Sequence, residues 1–242
     1  MSKYSQFVSD DIREDIEEYI YVHNLKPGDA LPSERTLCEI LGCNRVSLRR
    51  ALAQLAGDGV IFAVQGSGTF LAPPKFIEES SNFISFSSSW QTVGHRVTSR
   101  QLSFLELDAN LKISRMLGIP LGTKVFELKR LRLIDDVLIS IETSYLEKTK
   151  CPTLISYNFD GDASLYKVLE KNFGLHITQL QQNIRTTKIR SDEAELLCVE
   201  KGTAAFYISA VGLADDNEII EHSLTVSRAD RYAMHYRAGS PY

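Results

Sequence analysis

Residues 31–55 read LPSERTLCEILGCNRVSLRRALAQL. Two short amphipathic patterns sit there, split by one glycine, and no other stretch limits the fold so tightly. Ser33 can cap a helix whose inner face is Leu37, Ile40 and Leu41. Gly42 ends that pattern, because a left-handed residue there carries no side-chain penalty. Asn44 is the next cap. After it, Leu48, Ala51, Leu52 and Leu55 share one arc at about 100° per residue, and Arg45, Val46, Ser47, Arg49 and Arg50 share the opposite arc. Two helices on a tight glycine turn form a helix-turn-helix. Arginine, serine and arginine near the start of the second helix suit a DNA major groove, since arginine bonds guanine bidentately and serine bonds bases or phosphates. A solvated helix face has the same composition, so the flanking residues decide between the two.

Upstream, Ser9 and Asp10 read as caps. Ile12, Ile16, Tyr19, Ile20 and His23 then give one apolar stripe, ending near Asn24 before the turn Lys26-Pro27-Gly28-Asp29. Downstream, Gly57 and Gly59 close the third helix. Val60 to Val64 reads as a short strand, Gln65 to Gly68 as a turn, and Thr69 to Leu71 as the return strand. Such a two-stranded wing puts Gly66 where backbone can approach a phosphate closely. The chain's net charge of −4 looks wrong for a nucleic-acid binder. Distribution matters more than the sum. Asp10, Asp11, Glu14, Asp15, Glu17 and Glu18 crowd the first helix, whereas Arg35, Arg45, Arg49 and Arg50 face one acid, Glu39, between residues 35 and 50.

The pieces LKPGDALPSERTL, NRVSLRRALAQLAGDGVI and GSGTFL, in that order, resemble the winged-helix domain of the GntR family of bacterial transcription regulators. The resemblance covers about residues 4–72. It implies that Arg35, Arg45, Ser47, Arg49 and Gly66 contact double-stranded operator DNA, and Asn44 and Arg50 complete the candidate set. The family more often has Ser-Arg-x-Thr-Val-Arg where this chain has Asn44-Arg45-Val46-Ser47-Leu48-Arg49. The arginines are kept and one good cap replaces another, so the change bears on the operator sequence.

With 242 residues and 43% hydrophobic composition, the chain has room for two cores. Residues 1–74 are expected as the winged domain, polar residues 75–82 as a linker, and residues 83–242 as a second domain. In the second domain, extended stretches are expected over residues 96–107, 123–134, 137–146, 177–189, 204–214 and 218–227. Helices are expected from a cap at Asp108 to Leu117, from Asp162 to Phe173, and from Ser191 to Cys198. Long strands joined by tight turns favour a largely antiparallel sheet with packed helices, an α+β domain. On one strand Phe126, Leu128, Arg130 and Arg132 share a face. Paired guanidiniums suit a phosphate or carboxylate, although a solvent-exposed strand end would look the same. Glu142, on the partner strand, either bonds a ligand's hydroxyl or amine or pairs with those arginines. Ser164 and Tyr166 lie at a helix start, where an anion is favoured.

SFSSSW at 85–90, LGIPLGTKVFELKRLR at 117–132, SIETSYL at 140–146, SLYKVL at 164–169 and EHSLTVSRADRY at 221–232 resemble the UTRA effector domain of the HutC-type branch of that family. The resemblance implies a chorismate-lyase-like fold and a small-molecule pocket. Ser87, Ser88, Arg130, Arg132, Ser164 and Tyr166 would surround the acidic group of an anionic effector, most often a phosphosugar, with a phosphonate or carboxylate as the other candidates. Glu142 and Glu221 would bond its hydroxyl or amide groups. Many members carry tyrosine where this chain has Ser227, which bears on the identity of the ligand. The resemblance also implies a homodimer and a repressor released by its effector.

An enzyme is the rival, through the chorismate-lyase likeness and the spacing Ser164-x-x-Lys167, whose companion motifs are absent. No cofactor is implied. Scattered histidines argue against a metal site. Cys38, Cys43, Cys151 and Cys198 show no CxxC pairing and read as reduced, buried thiols. No apolar run is long enough for a membrane span, and a cytoplasmic protein is expected.

Overall fold

The computed structural model describes residues 4–64, 66–79 and 85–235, with side chains of the first helix described from residue 11. The chain divides into two compact units, Met1–Phe76 with Ala229–Arg231, and Ile77–Arg228 with Tyr232–Tyr242.

The first unit holds helices α1 (Tyr4–Val22), α2 (Glu34–Leu41) and α3 (Arg45–Gly57), then strands β1 (Ile61–Val64) and β2 (Gly68–Leu71). The expected caps between the helices are present. Ser33 Oγ accepts the Thr36 N–H at 3.2 Å, and Asn44 Oδ1 accepts the Ser47 N–H at 2.9 Å. Gly42 is left-handed at φ +63°. That turn lets the Cys43 N–H reach back to the Cys38 carbonyl at 3.2 Å. Ile12 and Ile16 of α1 meet Leu37, Leu48, Ala51, Leu55 and Ile61 in one core. Truncating Leu48, which is fully buried, removes contacts on every side and costs about 2–5 kcal/mol.

Three details of this unit differ from expectation. Helix α1 begins at Tyr4, so Ser9 and Asp10 lie inside it; a cap preference of about 1 kcal/mol does not stop a helix that can continue. Ile40 is 51% exposed, because Leu37 and Leu41, one turn apart, already fill the inner face of α2. The wing also gains a third segment. Leu31 N–H donates to Thr69 O at 2.7 Å and Leu71 N–H to Asp29 O at 2.9 Å, so β2 is flanked on both sides. Of the expected wing turn, Gln65 lies outside the described residues, while Gly66 and Gly68 have φ +76° and +132°.

The second unit runs β3 (Phe76–Glu79), α4 (Phe86–Thr92), β4 (Val97–Asp108), α5 (Leu111–Leu117), β5 (Lys124–Ile134), β6 (Val137–Glu147), α6 (Leu165–Phe173), β7 (Gln179–Lys188), α7 (Ser191–Leu197), β8 (Ala204–Leu213), β9 (Ile219–Arg228) and β10 (Tyr232–His235). Six strands form an antiparallel sheet in the order β4-β5-β6-β9-β8-β7, and β3 pairs with β10. The architecture is α+β, as expected. Asp135 and Asp136 join β5 to β6 with φ +48° and +64°, the left-handed pair a two-residue hairpin needs.

Each sheet face has its own core. Phe126, Leu128 and Leu146 pack with Phe159 and with Leu165 and Leu169 of α6. On the other face α5 covers Val125 through Ile113 and Leu117, and α7 covers Leu131 and Ile141 through Ala194 and Leu197.

Four local expectations are corrected in this unit. Residues 76–79 of the expected linker form β3; Ser80, Ser81 and Asn82 lie outside the described residues. Asp108 ends β4 paired with Lys124 at 2.7 Å, and Asn110 caps α5 by accepting the Ile113 N–H at 3.0 Å. Helix α6 begins after Ser164, not at Asp162. Cys198 is exposed, since it takes the left-handed position that closes α7 at φ +53°; Cys151 is buried and the other two thiols are half-buried. No helix among the described residues is long and apolar enough to cross a membrane.

Candidate functional site

In the first unit the candidate DNA contacts lie at the start of α2, along the start of α3 and at the wing tip. Arg45, Arg49 and Arg50 are exposed, opposite buried Leu48, Ala51 and Leu55. Asn44 uses its side-chain oxygen to cap α3 on Ser47. Arg49 is not loose: its Nε donates to both carboxylate oxygens of Glu34, at 3.1 and 2.9 Å. Arg35 pairs loosely with Glu39 at 4.0 Å. A Cβ added at Gly66 would meet no heavy atom within 4 Å, so the wing tip is open.

In the second unit the sheet register gathers the effector candidates. In the β5–β6 ladder Arg130 faces Glu142 and Arg132 faces Ser140. In the β6–β9 ladder Glu142 faces Thr225 and Leu146 faces Glu221. Side chains alternate along a strand, so these residues share one sheet face. Helix α4, the start of α6 and the β3–β10 ribbon contribute the rest of a cavity that holds Ser87, Arg130, Arg132, Glu142, Ser164, Tyr166 and Glu221.

The two arginines are buried, at 2% and 3% exposure. Arg130 Nη2 donates to Glu142 Oε1. Arg132 Nη1 donates to both oxygens of Glu142 at 3.2 and 3.1 Å, and its Nη2 donates to Ser87 Oγ at 2.9 Å. Ring faces complete the packing, with the Arg132 guanidinium 4.6 Å from the Phe86 centroid and that of Arg130 5.7 Å from Phe159. Three guanidinium nitrogens remain over. Nε and Nη1 of Arg130 and Nε of Arg132 are buried with no hydrogen-bond partner among the described residues. Buried unpaired donors are costly, so they point to a missing acceptor.

The charges of the cavity agree with that. Burial brings Arg132 down to about 10, against the attraction of Glu142, so it stays cationic at neutral pH. Burial also opposes ionisation of Glu142, but the Arg130 and Arg132 charges outweigh it and hold its carboxyl down at about 2. Glu221 is pushed up by burial and by the nearby Glu142 charge. Glu78, which also lines the cavity, is pushed up by burial. With all three acids ionised the cavity would repel an anion. Burial shifts Glu221 and Glu78 in the direction that weakens this repulsion, while Arg130 and Arg132 both face the cavity.

Tyr166 donates to Glu221 at 2.6 Å, and Ser164 caps α6 by accepting the Lys167 N–H at 3.5 Å. The Ser164-x-x-Lys167 spacing is therefore a helix cap. Ser88 is the one effector candidate that does not line the cavity. Its hydroxyl meets Ser85 at 3.0 Å, because one residue of helix turns it about 100° from buried Ser87. Ser227, where many relatives are expected to have tyrosine, lines the cavity opposite Ser140. The sequence reading missed Glu78, Tyr232, Gln182 and Thr225. Thr225 was open to it, since it continues the alternation from Glu221. Glu78 and Tyr232 were not, because the pairing of β3 with β10 joins residues far apart in the chain.

The family models separate along the same lines. Residues 6–71 match the model described as bacterial regulatory proteins, gntR family, and residues 92–233 match the UTRA domain. The HTH-type transcriptional repressor NagR of Bacillus subtilis is 27% identical over 226 residues, covering 93% of this chain and 92% of that protein. A probable fructoselysine utilization operon transcriptional repressor of Escherichia coli K12 is 24% identical, covering 91% and 88%. The crystal structure of PhnF from Mycobacterium smegmatis superposes with a TM-score of 0.66 at 25% identity, covering 95% of this chain and all of that one. Relatives of this kind are regulators by name, which supports no enzyme reading. With a winged helix-turn-helix module ahead of an effector-binding module, the chain belongs to the GntR family of bacterial transcription regulators, in its UTRA-containing branch.

Proposed function

We propose that the protein is a cytoplasmic, homodimeric repressor that leaves its operator when a small phosphorylated metabolite, most simply a phosphosugar, fills the cavity around Arg130 and Arg132. One observation carries the choice of an anion: three buried guanidinium nitrogens beside a cavity have no hydrogen-bond partner among the described residues. The repressor sign is supported by the names of the relatives. A phosphate offers several acceptor oxygens to those donors, and Ser87, Ser164 and Tyr166 surround the same space. In the winged unit, Arg45 and Arg49 read base edges, Arg35 and Arg50 meet the phosphate backbone, and Gly66 brings the wing tip to the duplex. Asn44 and Ser47 start the helix that carries them. A homodimer fits the recognition problem, because one such helix reads too few base pairs to be selective in a genome.

The test is operator binding by fluorescence anisotropy, with the operator selected by the protein itself from a random-sequence pool. Sugar phosphates, phosphonates and carboxylates are titrated in turn. A phosphosugar should raise the apparent Kd by roughly 5- to 150-fold, the span of typical allosteric coupling. Release by carboxylates alone would replace the phosphate in this reading.

A further inference from the structure

The arginines explain one end of an effector. The same cavity is also lined by Glu78, which comes from β3. Glu78 lies two residues past Phe76, and Tyr232, which lines the same cavity, one residue past Arg231, so both follow directly on stretches of the winged unit in the chain. Its partner is Tyr232, whose hydroxyl donates to Glu78 Oε2 across the β3–β10 ribbon. Tyr232 is itself held still. It is 2% exposed and packs edge-on against Trp90 and Phe206, each at 6.4 Å between centroids. A fixed phenol thus occupies a half-buried carboxylate that faces the cavity.

We propose that Glu78 reads the second polar group of the effector: a hydrogen-bond donor, ammonium or hydroxyl, takes the Glu78 carboxylate from Tyr232 while the anionic end is held by Arg130 and Arg132. The effector is then bifunctional, an anion at one end and a donor at the other. This rests on the anion site proposed above and adds to it a specificity residue and a route to regulation. A ligand shifts a conformational equilibrium only through contacts that differ between the two states. Exchange of partners at Glu78 is such a contact, and it is made on the strand that follows the winged unit in the chain. Burial pushes Glu78 toward its proton-bearing form. An ammonium beside it favours the ionised form, so a charged donor binds more tightly than a hydroxyl at the same place.

The test is isothermal titration of the full-length protein with three probes. They are hexyl phosphate, glucose 6-phosphate and 2-amino-2-deoxyglucose 6-phosphate, which present no donor, hydroxyl donors and an added ammonium. The wild type should bind the two sugar phosphates at least roughly tenfold more tightly than hexyl phosphate, and the amino sugar more tightly than its hydroxyl counterpart. Glu78→Gln should shrink the ammonium preference by about tenfold and leave hexyl phosphate affinity within about twofold. Tyr232→Phe removes the competing donor and should strengthen amino-sugar binding. A purely structural Glu78–Tyr232 pair predicts that both substitutions weaken all three probes alike, and that result overturns the proposal. Equal binding of all three probes by the wild type leaves the arginine site standing and removes the role of Glu78. Failure of all three to bind overturns the phosphate reading of the arginine site and this inference with it.

Discussion

Arg130 sits directly across the β5–β6 ladder from Glu142, and its guanidinium donates to that carboxylate. Any anion that binds Arg130 therefore meets a resident competitor. Removing one partner of a buried pair leaves the other charge uncompensated, at a cost of roughly 3–5 kcal/mol. Glu142→Gln should lower the melting temperature of the free protein and enlarge the rise produced by inorganic phosphate. A phosphate response equal to that of wild type would show that anions do not reach these arginines.

The same pair sets a pH dependence. Arg130 and Arg132 outweigh burial and hold the Glu142 pKa at about 2, below its ordinary 4.5. A depressed carboxyl contributes stability that is complete above the unfolded value and lost as pH falls through the folded one. The stability difference between wild type and Glu142→Gln should thus be flat above about pH 5 and narrow steadily from there toward pH 2. Chemical unfolding of both proteins at several acid pH values measures it, and a gap that widens in acid contradicts the ion-pair assignment.

On the DNA side, Glu34 takes Nε of Arg49 with both oxygens, which leaves the two terminal nitrogens for the base contact proposed above. Arg49→Ala should fold normally, because the side chain is exposed, and should lose roughly 1–3 kcal/mol of operator affinity. Glu34→Gln should lose less, about 0.5–1.5 kcal/mol, as Arg49 gives up its preset rotamer. Tighter operator binding by Glu34→Gln would mean that Glu34 sequesters Arg49 instead of aiming it.

A two-fold operator requires two copies of the chain. Sedimentation at micromolar concentration should give a dimer, both free and on the selected operator. A monomer that still binds that operator tightly would contradict the homodimer.

Legibility in the sequence followed the range of the contacts. The α2–turn–α3 boundaries were readable because each cap is a local device: Ser33, Gly42 and Asn44 act within a few residues of themselves. The face carrying Arg130 and Arg132 was readable because strand alternation is local too, and Glu142 follows by one tight hairpin. Ladder partners at a distance were not. Neither β3 nor its Glu78 could be placed without β10, some 150 positions later. Seven-residue α4 was also missed, and with it the rotation that turns Ser87 inward and Ser88 away. Pattern showed the arginine pair, but only the fold shows that both side chains are buried and that Glu142 already occupies them.

Control of DNA binding is proposed to run through the arginine pair, and one titration checks it. Operator affinity is measured with and without the releasing phosphosugar for wild type and for Arg130→Gln/Arg132→Gln/Glu142→Gln, a variant that removes the arginines without stranding the buried carboxylate. The variant should bind free operator about as tightly as wild type and no longer respond to the phosphosugar. Release of the variant at the wild-type phosphosugar concentration would contradict it, and would place the effector site away from Arg130 and Arg132.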